Sequence, residues 1–126
     1  MLRACRRLLR PGGRIAYFTI FTTQGLSKQA HRRAVRLGPR AVASRRGQAE
    51  LLGAAGFAEV VDTDVTPDFL ETARRWVSFA GTFEGELRSV LGDALFDEQQ
   101  ADRAEMITAV EEGLLSRALF EGTKAT

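Results

Sequence analysis

The segment that most constrains this chain is Ile15-Ala16-Tyr17-Phe18-Thr19-Ile20-Phe21, an unbroken β-branched and aromatic run that is almost wholly apolar. A run of this kind predicts a strand with cover on both faces, the habit of a central parallel strand. The residues ahead of it agree. Leu2, Cys5, Leu8 and Leu9 recur at helical spacing, with Arg3, Arg6, Arg7 and Arg10 on the opposite face. Pro11-Gly12-Gly13 then stops that helix and turns the chain into the strand.

Downstream, Thr22 to Gln29 reads as a loop, with Gly25 as a hinge, and a short basic helix is predicted from about Ser27 to Leu37, ended by Gly38-Pro39. Ser44 suits the N-cap of a further helix whose Leu51, Leu52 and Ala55 face inward, and Gly56 suits its left-handed exit. Phe57 to Val65 comes next as a second strand. Helix, strand, helix, strand predicts a parallel α/β unit with a right-handed crossover. Thr66-Pro67-Asp68 starts a helix with a cap, an early proline and an acid near the positive end. Its predicted apolar stripe is Phe69, Leu70, Ala73, Trp76, Val77 and Ala80. Leu87, Val90 and Leu91 point to another helix despite Gly81, Gly85 and Gly92. Asp97, with Gln100 three residues on, marks a helix start, with Ala101, Ala104, Ile107 and Val110 inward and Gly113 at the end. Leu114 to Glu121 is the last predicted strand, with Lys124 in a frayed tail. The whole of 1–126 reads as a single domain.

The net charge of +2 conceals an asymmetry: residues 1–49 carry twelve Arg and Lys and no acid, whereas residues 50–126 carry six against sixteen acids. A basic half of this kind attracts nucleic acid or anionic membranes. No aromatic or glycine-rich RNA-reading motif accompanies the arginines, so mutual attraction of the two halves is the preferred reading. The Arg-rich start also mimics a mitochondrial presequence, but it runs without a break into a core-type strand. No apolar run approaches the roughly 18 residues of a membrane span. The single Cys5 excludes an internal disulfide and suits a reducing, cytoplasmic setting.

Three strings carry a resemblance. Leu9-Arg10-Pro11-Gly12-Gly13 followed by Arg14 to Ile20 is similar to the turn and fifth strand of class I S-adenosylmethionine-dependent methyltransferases. Glu50-Leu51-Leu52-Gly53-Ala54-Ala55-Gly56-Phe57 resembles the helix before strand six. Glu112 to Phe120 resembles the antiparallel seventh strand. The order agrees, and the strings span nearly the whole chain. The resemblance implies an α/β fold: a partial Rossmann-like sheet of strands five, six and antiparallel seven, with flanking helices and a helical insertion at about 67–112, as in some bacterial members. It implies S-adenosylmethionine as the parent family's cofactor. The glycine-rich turn after strand one and the acid ending strand two are missing, however, and no G-x-G-x-G occurs in the sequence. No residue here is therefore expected to be a cofactor ligand, and the chain alone is expected neither to bind cofactor nor to turn over. Without strand four, the strand at 15–21 becomes an apolar edge. It is expected to pair in a homodimer or with a complementing N-terminal fragment, unless helices of 67–112 cover the bare face.

Candidate chemistry is sparse. Open α/β sheets bind ligands at strand C-termini, so Thr22, Thr23 and Gln24 are candidate substrate-binding residues. His31 is another, because the loop after strand five reaches the acceptor pocket in relatives. Its neighbours Arg32 and Arg33 make a solvated surface histidine the preferred reading. Trp76 and Phe79 could line an acceptor pocket, but a tryptophan at helical spacing among apolar neighbours favours core. Cys5 reads as packing. Asp62 and Asp64 share a side of the second strand without a third ligand, so no metal site is expected, and no catalytic residue is assigned. The alternatives to a methyltransferase part are a non-catalytic partner subunit and a basic nucleic-acid-binding module.

Overall fold

A computed structural model describes residues 1–39 and 47–125. The elements in order are α1 (Leu2–Leu8), β1 (Arg14–Thr22), α2 (Lys28–Leu37), α3 (Gln48–Ala54), β2 (Phe57–Asp64), α4 (Thr66–Thr82), α5 (Glu84–Leu91), α6 (Asp93–Glu111) and β3 (Leu115–Lys124). The sheet order is β1-β3-β2, and both outer strands run antiparallel to β3. β1 and β2 therefore point the same way, but no parallel ladder joins them. The parallel pairing expected from helix–strand alternation is replaced because the last strand enters from the opposite end and takes the slot between them. This is the α/β fold, with an antiparallel seventh strand beside the fifth, that the resemblance implies.

The turn before β1 shows why it needs its glycines. Gly12 has φ 78°, and a Cβ on Gly13 would stand 2.8 Å from the Arg10 carbonyl oxygen. The Gly12 N–H donates to the Lys124 carbonyl, the Lys124 N–H to the Gly13 carbonyl, and Lys124 Nζ to the Leu9 carbonyl at 2.8 Å. Lys124 is thus the last residue of a ten-residue strand and not part of a frayed tail. Gly56 has φ 96° and leaves α3 as expected, with Arg6 Nε donating to its carbonyl. Ser44 lies outside the described residues; α3 begins with Gly47 at the N-cap position.

The two sheet faces are covered unequally. On one, Ile15, Tyr17 and Phe21 of β1 and Ala118 and Phe120 of β3 pack under Leu2, Leu9, Leu52, Ala55 and Phe57. Leu8, 88% exposed, lies off this contact, because 2, 5 and 9 trace the inward line of α1. On the other face, Ile20 and Leu115 pack with Ala34, Phe69, Met106, Ala109 and Val110 of α2, α4 and α6. That cover stops part-way along: Arg14, Ala16 and Phe18 are exposed. The helical segment therefore shields one end of this face only, and the two-sided burial expected of β1 is not reached.

Three helix details differ from expectation. α4 starts at Thr66 itself, and its first N–H is capped by Asp64 Oδ1 at 3.1 Å. The Thr66 hydroxyl instead accepts from the Arg117 N–H at 3.0 Å. α6 begins at Asp93, not Asp97; both aspartates pair with Arg88 of α5. Its buried face runs through Phe96, Ala109 and Val110, with Met106 half-buried, while Ala101 and Ala104 are exposed. The larger side chains take the core, and alanine tolerates the outer face.

Candidate functional site

β1 and β2 end on the same side of the sheet, where β3 begins. Thr22 closes β1 opposite Leu115 and is 3% exposed. Thr23 continues the line: its N–H donates to the Leu114 carbonyl at 3.0 Å, and its hydroxyl lies 2.9 Å from the Ser116 hydroxyl. Gly25, with φ 83°, then turns the chain into α2, whose N-cap Ser27 accepts from the Ala30 N–H at 3.1 Å. The Gln24 side chain reaches across to Gly47, within 3.6 Å of where a Cβ would sit. The next residue, Gln48, accepts a hydrogen bond from the Tyr17 hydroxyl at 2.9 Å. Burial pushes the Tyr17 phenol up from its ordinary 10.0, so it stays a neutral donor.

This topology is shared with solved structures, although no family model and no curated protein matches the sequence. The chain superimposes on a protein from Galdieria sulphuraria assigned as a sarcosine dimethylglycine methyltransferase, with a TM-score of 0.84 at 13% identity. It also superimposes on phosphoethanolamine N-methyltransferase 2 of Haemonchus contortus, with a TM-score of 0.80 at 13% identity. A third such structure is the mycolic acid cyclopropane synthase CmaA1, at 0.77 and 16%. It has the fold of the C-terminal part of a class I methyltransferase. The match takes in 98% of this chain and 46% of the Galdieria protein, 99% and 29% of the Haemonchus enzyme, and 98% and 51% of CmaA1. The chain thus spans between about a third and a half of those proteins. The Haemonchus enzyme was captured with phosphomonomethylethanolamine and S-adenosylhomocysteine.

Within this fold, the glycine turn at 12–13 is not built as a cofactor cradle. The glycine pair at 12–13 precedes its strand, and both backbone N–H groups are already spent, Gly12 on Lys124 and Gly13 on Arg10 at 2.8 Å. A glycine-rich turn serves a ligand by leaving such groups free to face it. Among the described residues no cluster of three His, Cys, Asp or Glu could hold a metal. Asp64 is committed to Thr66, and Asp62 stands exposed on β2.

The candidate residues separate into two groups. Thr22, Thr23 and Gln24 lie together at the end of β1. His31 sits one helical turn beyond Ser27, half-buried, with its Nε2 shut away from solvent and without a hydrogen-bond partner. It is not the fully solvated histidine its arginine neighbours predict. One of those neighbours, Arg33, turns outward to a two-point pair with Glu112, which holds the guanidinium up and the Glu112 carboxyl down from their ordinary values. Ser116 and Gln48 join the strand-end group without having been singled out. A serine beside Arg117 in the mostly apolar Leu114 to Phe120 run was the available signal for the first; Gln48 gave none. Trp76 and Phe79 are not core: they are 46% and 66% exposed, and they lie on α4. Cys5 is half-buried in α1.

Proposed function

We propose that this chain forms the acceptor side and sheet edge of a methyl-transferring protein whose cofactor is held by a different segment of polypeptide. Supporting this is the β1-β3-β2 sheet with its antiparallel centre, which superimposes on methyltransferases over almost all of this chain and only part of theirs. Thr22, Thr23 and Gln24 stand where open α/β sheets meet their ligands. Thr23, Gln24 and Ser116, with Thr22 buried behind them, offer hydroxyl and amide groups suited to orienting a polar acceptor, which is the main protein contribution to an in-line displacement.

The bare edge of β1 is where the missing part would join. β1 pairs on one side with β3, and no strand lies on its other side among the described residues. Beside that edge Phe18 is 54% exposed, and across the same face Val61 is 53% exposed. A complementing N-terminal fragment would add a strand there and cover that face; a second copy of the chain is the alternative occupant. Among the described residues no helix is long and apolar enough to cross a membrane, and a cytoplasmic setting is part of the proposal.

Calorimetric titration of the purified chain with S-adenosylmethionine tests the central point. No saturable heat is expected. Micromolar binding by the chain alone would overturn the view that another segment holds the cofactor.

A further inference from the structure

The helical insertion contains a cleft that plays no part in the strand-end site. It lies between the second half of α4, the start of α5 and the middle of α6, has a volume of about 750 Å³ and is lined by Arg75, Trp76, Phe79, Ala80, Leu87 and Arg103 among others. This is within the size range of small-molecule pockets. None of Thr22, Thr23, Gln24 or His31 lines it, so a ligand bound here is independent of the methyl-transfer proposal.

Two features of the cleft call for an occupant of a particular kind. The first is aromatic surface left open to water. Trp76 is braced edge-on by Phe69 at 6.1 Å, and Phe79 lies 4.7 Å from Phe83, so the rings are positioned yet exposed. The second is a guanidinium that makes no ion pair among the described residues. Arg103 is half-buried, and its side chain reaches only the Gln100 amide oxygen, at 3.4 Å. Glu98, Asp102 and Glu105 border a neighbouring cleft with Arg103, but among the described residues none makes an ion pair with it. A guanidinium stays charged, so a partly desolvated one held by a single neutral acceptor gains most from an anionic partner. Arg75, at the open rim, is already paired with Glu71 at 2.6 Å. Gln100 Nε2 also donates to the Val77 carbonyl, which fixes α6 against α4 beneath the cleft.

We propose that this cleft binds an apolar molecule bearing one anionic group, its body against Trp76, Phe79 and Leu87 and its anion on Arg103. The chain's single tryptophan sits in the cleft, so its emission reports occupancy directly. Titration with dodecanoate is expected to give a saturable change in Trp76 fluorescence, about tenfold tighter than with dodecanol or dodecyltrimethylammonium, since a charge-assisted contact is lost in both. Arg103→Gln should abolish that preference while leaving dodecanol binding unchanged, and Arg103→Lys should restore part of it. Phe79→Ala, at a solvent-exposed position, should weaken all three ligands without altering the circular dichroism spectrum. No saturable response, equal affinity for the three head groups, or an Arg103→Gln variant that still prefers dodecanoate would each overturn the assignment.

Discussion

Stability in this small chain rests on few side chains. Leu52 and Leu115 are the largest fully buried ones, each at 0% exposure, and they serve opposite faces of the sheet. Leu115→Ala is expected to cost about 2–5 kcal/mol, because the surrounding helices cannot close the void completely; thermal denaturation measures it. Tyr17 makes a subtler contribution. It packs on the Phe120 ring at 5.8 Å and donates to Gln48, so Tyr17→Phe should cost about 0.5–1.5 kcal/mol. Its raised pKa means the native state keeps the proton longer than the unfolded chain. The associated stability is therefore full below the ordinary value of 10.0 and declines as pH rises past it. Tyr17 is the only tyrosine, so phenolate absorbance should titrate above 10.0 in the folded protein and at the ordinary value once it is denatured. The paired Arg33 and Glu112 are both exposed and contribute little. They do show where the basic first half and the acidic second half meet, as do Arg14 and Glu121 at 3.8 Å.

Among the elements, β1 carries the largest unmet demand. One face is half-buried along its length, the other is covered only near Ile20 and Thr22, and one backbone edge has no neighbouring strand among the described residues. Phe18 keeps company with the Arg117 guanidinium, 4.7 Å above its ring, which covers part of the ring and leaves the rest to water. Apolar edges of this length pair with other chains. Self-association at high concentration is expected in sedimentation velocity, and Phe18→Lys should suppress it by placing a charge beside the edge. A wild-type chain that stays monomeric throughout would remove a second copy as the occupant of that edge. The helices show what local pattern conveys and what it omits. The α4 start at Thr66-Pro67 was legible because proline acts locally, although Thr66 lies inside the helix and is not its cap. The rotation of α6 was not: Phe96 and Met106 outrank Ala101 and Ala104 for the core only once α2, α4 and the sheet stand against that helix. Trp76 misled for a related reason. Helical spacing identifies a stripe but does not supply the partner that would bury it.

For the molecule as a whole, the sequence by itself determined the element types and their order, the turns at Gly12-Gly13 and Gly56, the division of charge, and a partial methyltransferase sheet without a cofactor turn. These arise from chain-local chemistry: β-branched runs, positive-φ positions, caps, and motif strings in sequence order. Only the tertiary structure decided that β3 separates β1 from β2, that cover of the second sheet face stops short of Phe18, that Lys124 is held in the sheet, and that Arg103 and two aromatic rings face a common cleft. Each of these depends on contacts between residues far apart in sequence, whose pairing is set by competition for buried area and which no local pattern encodes.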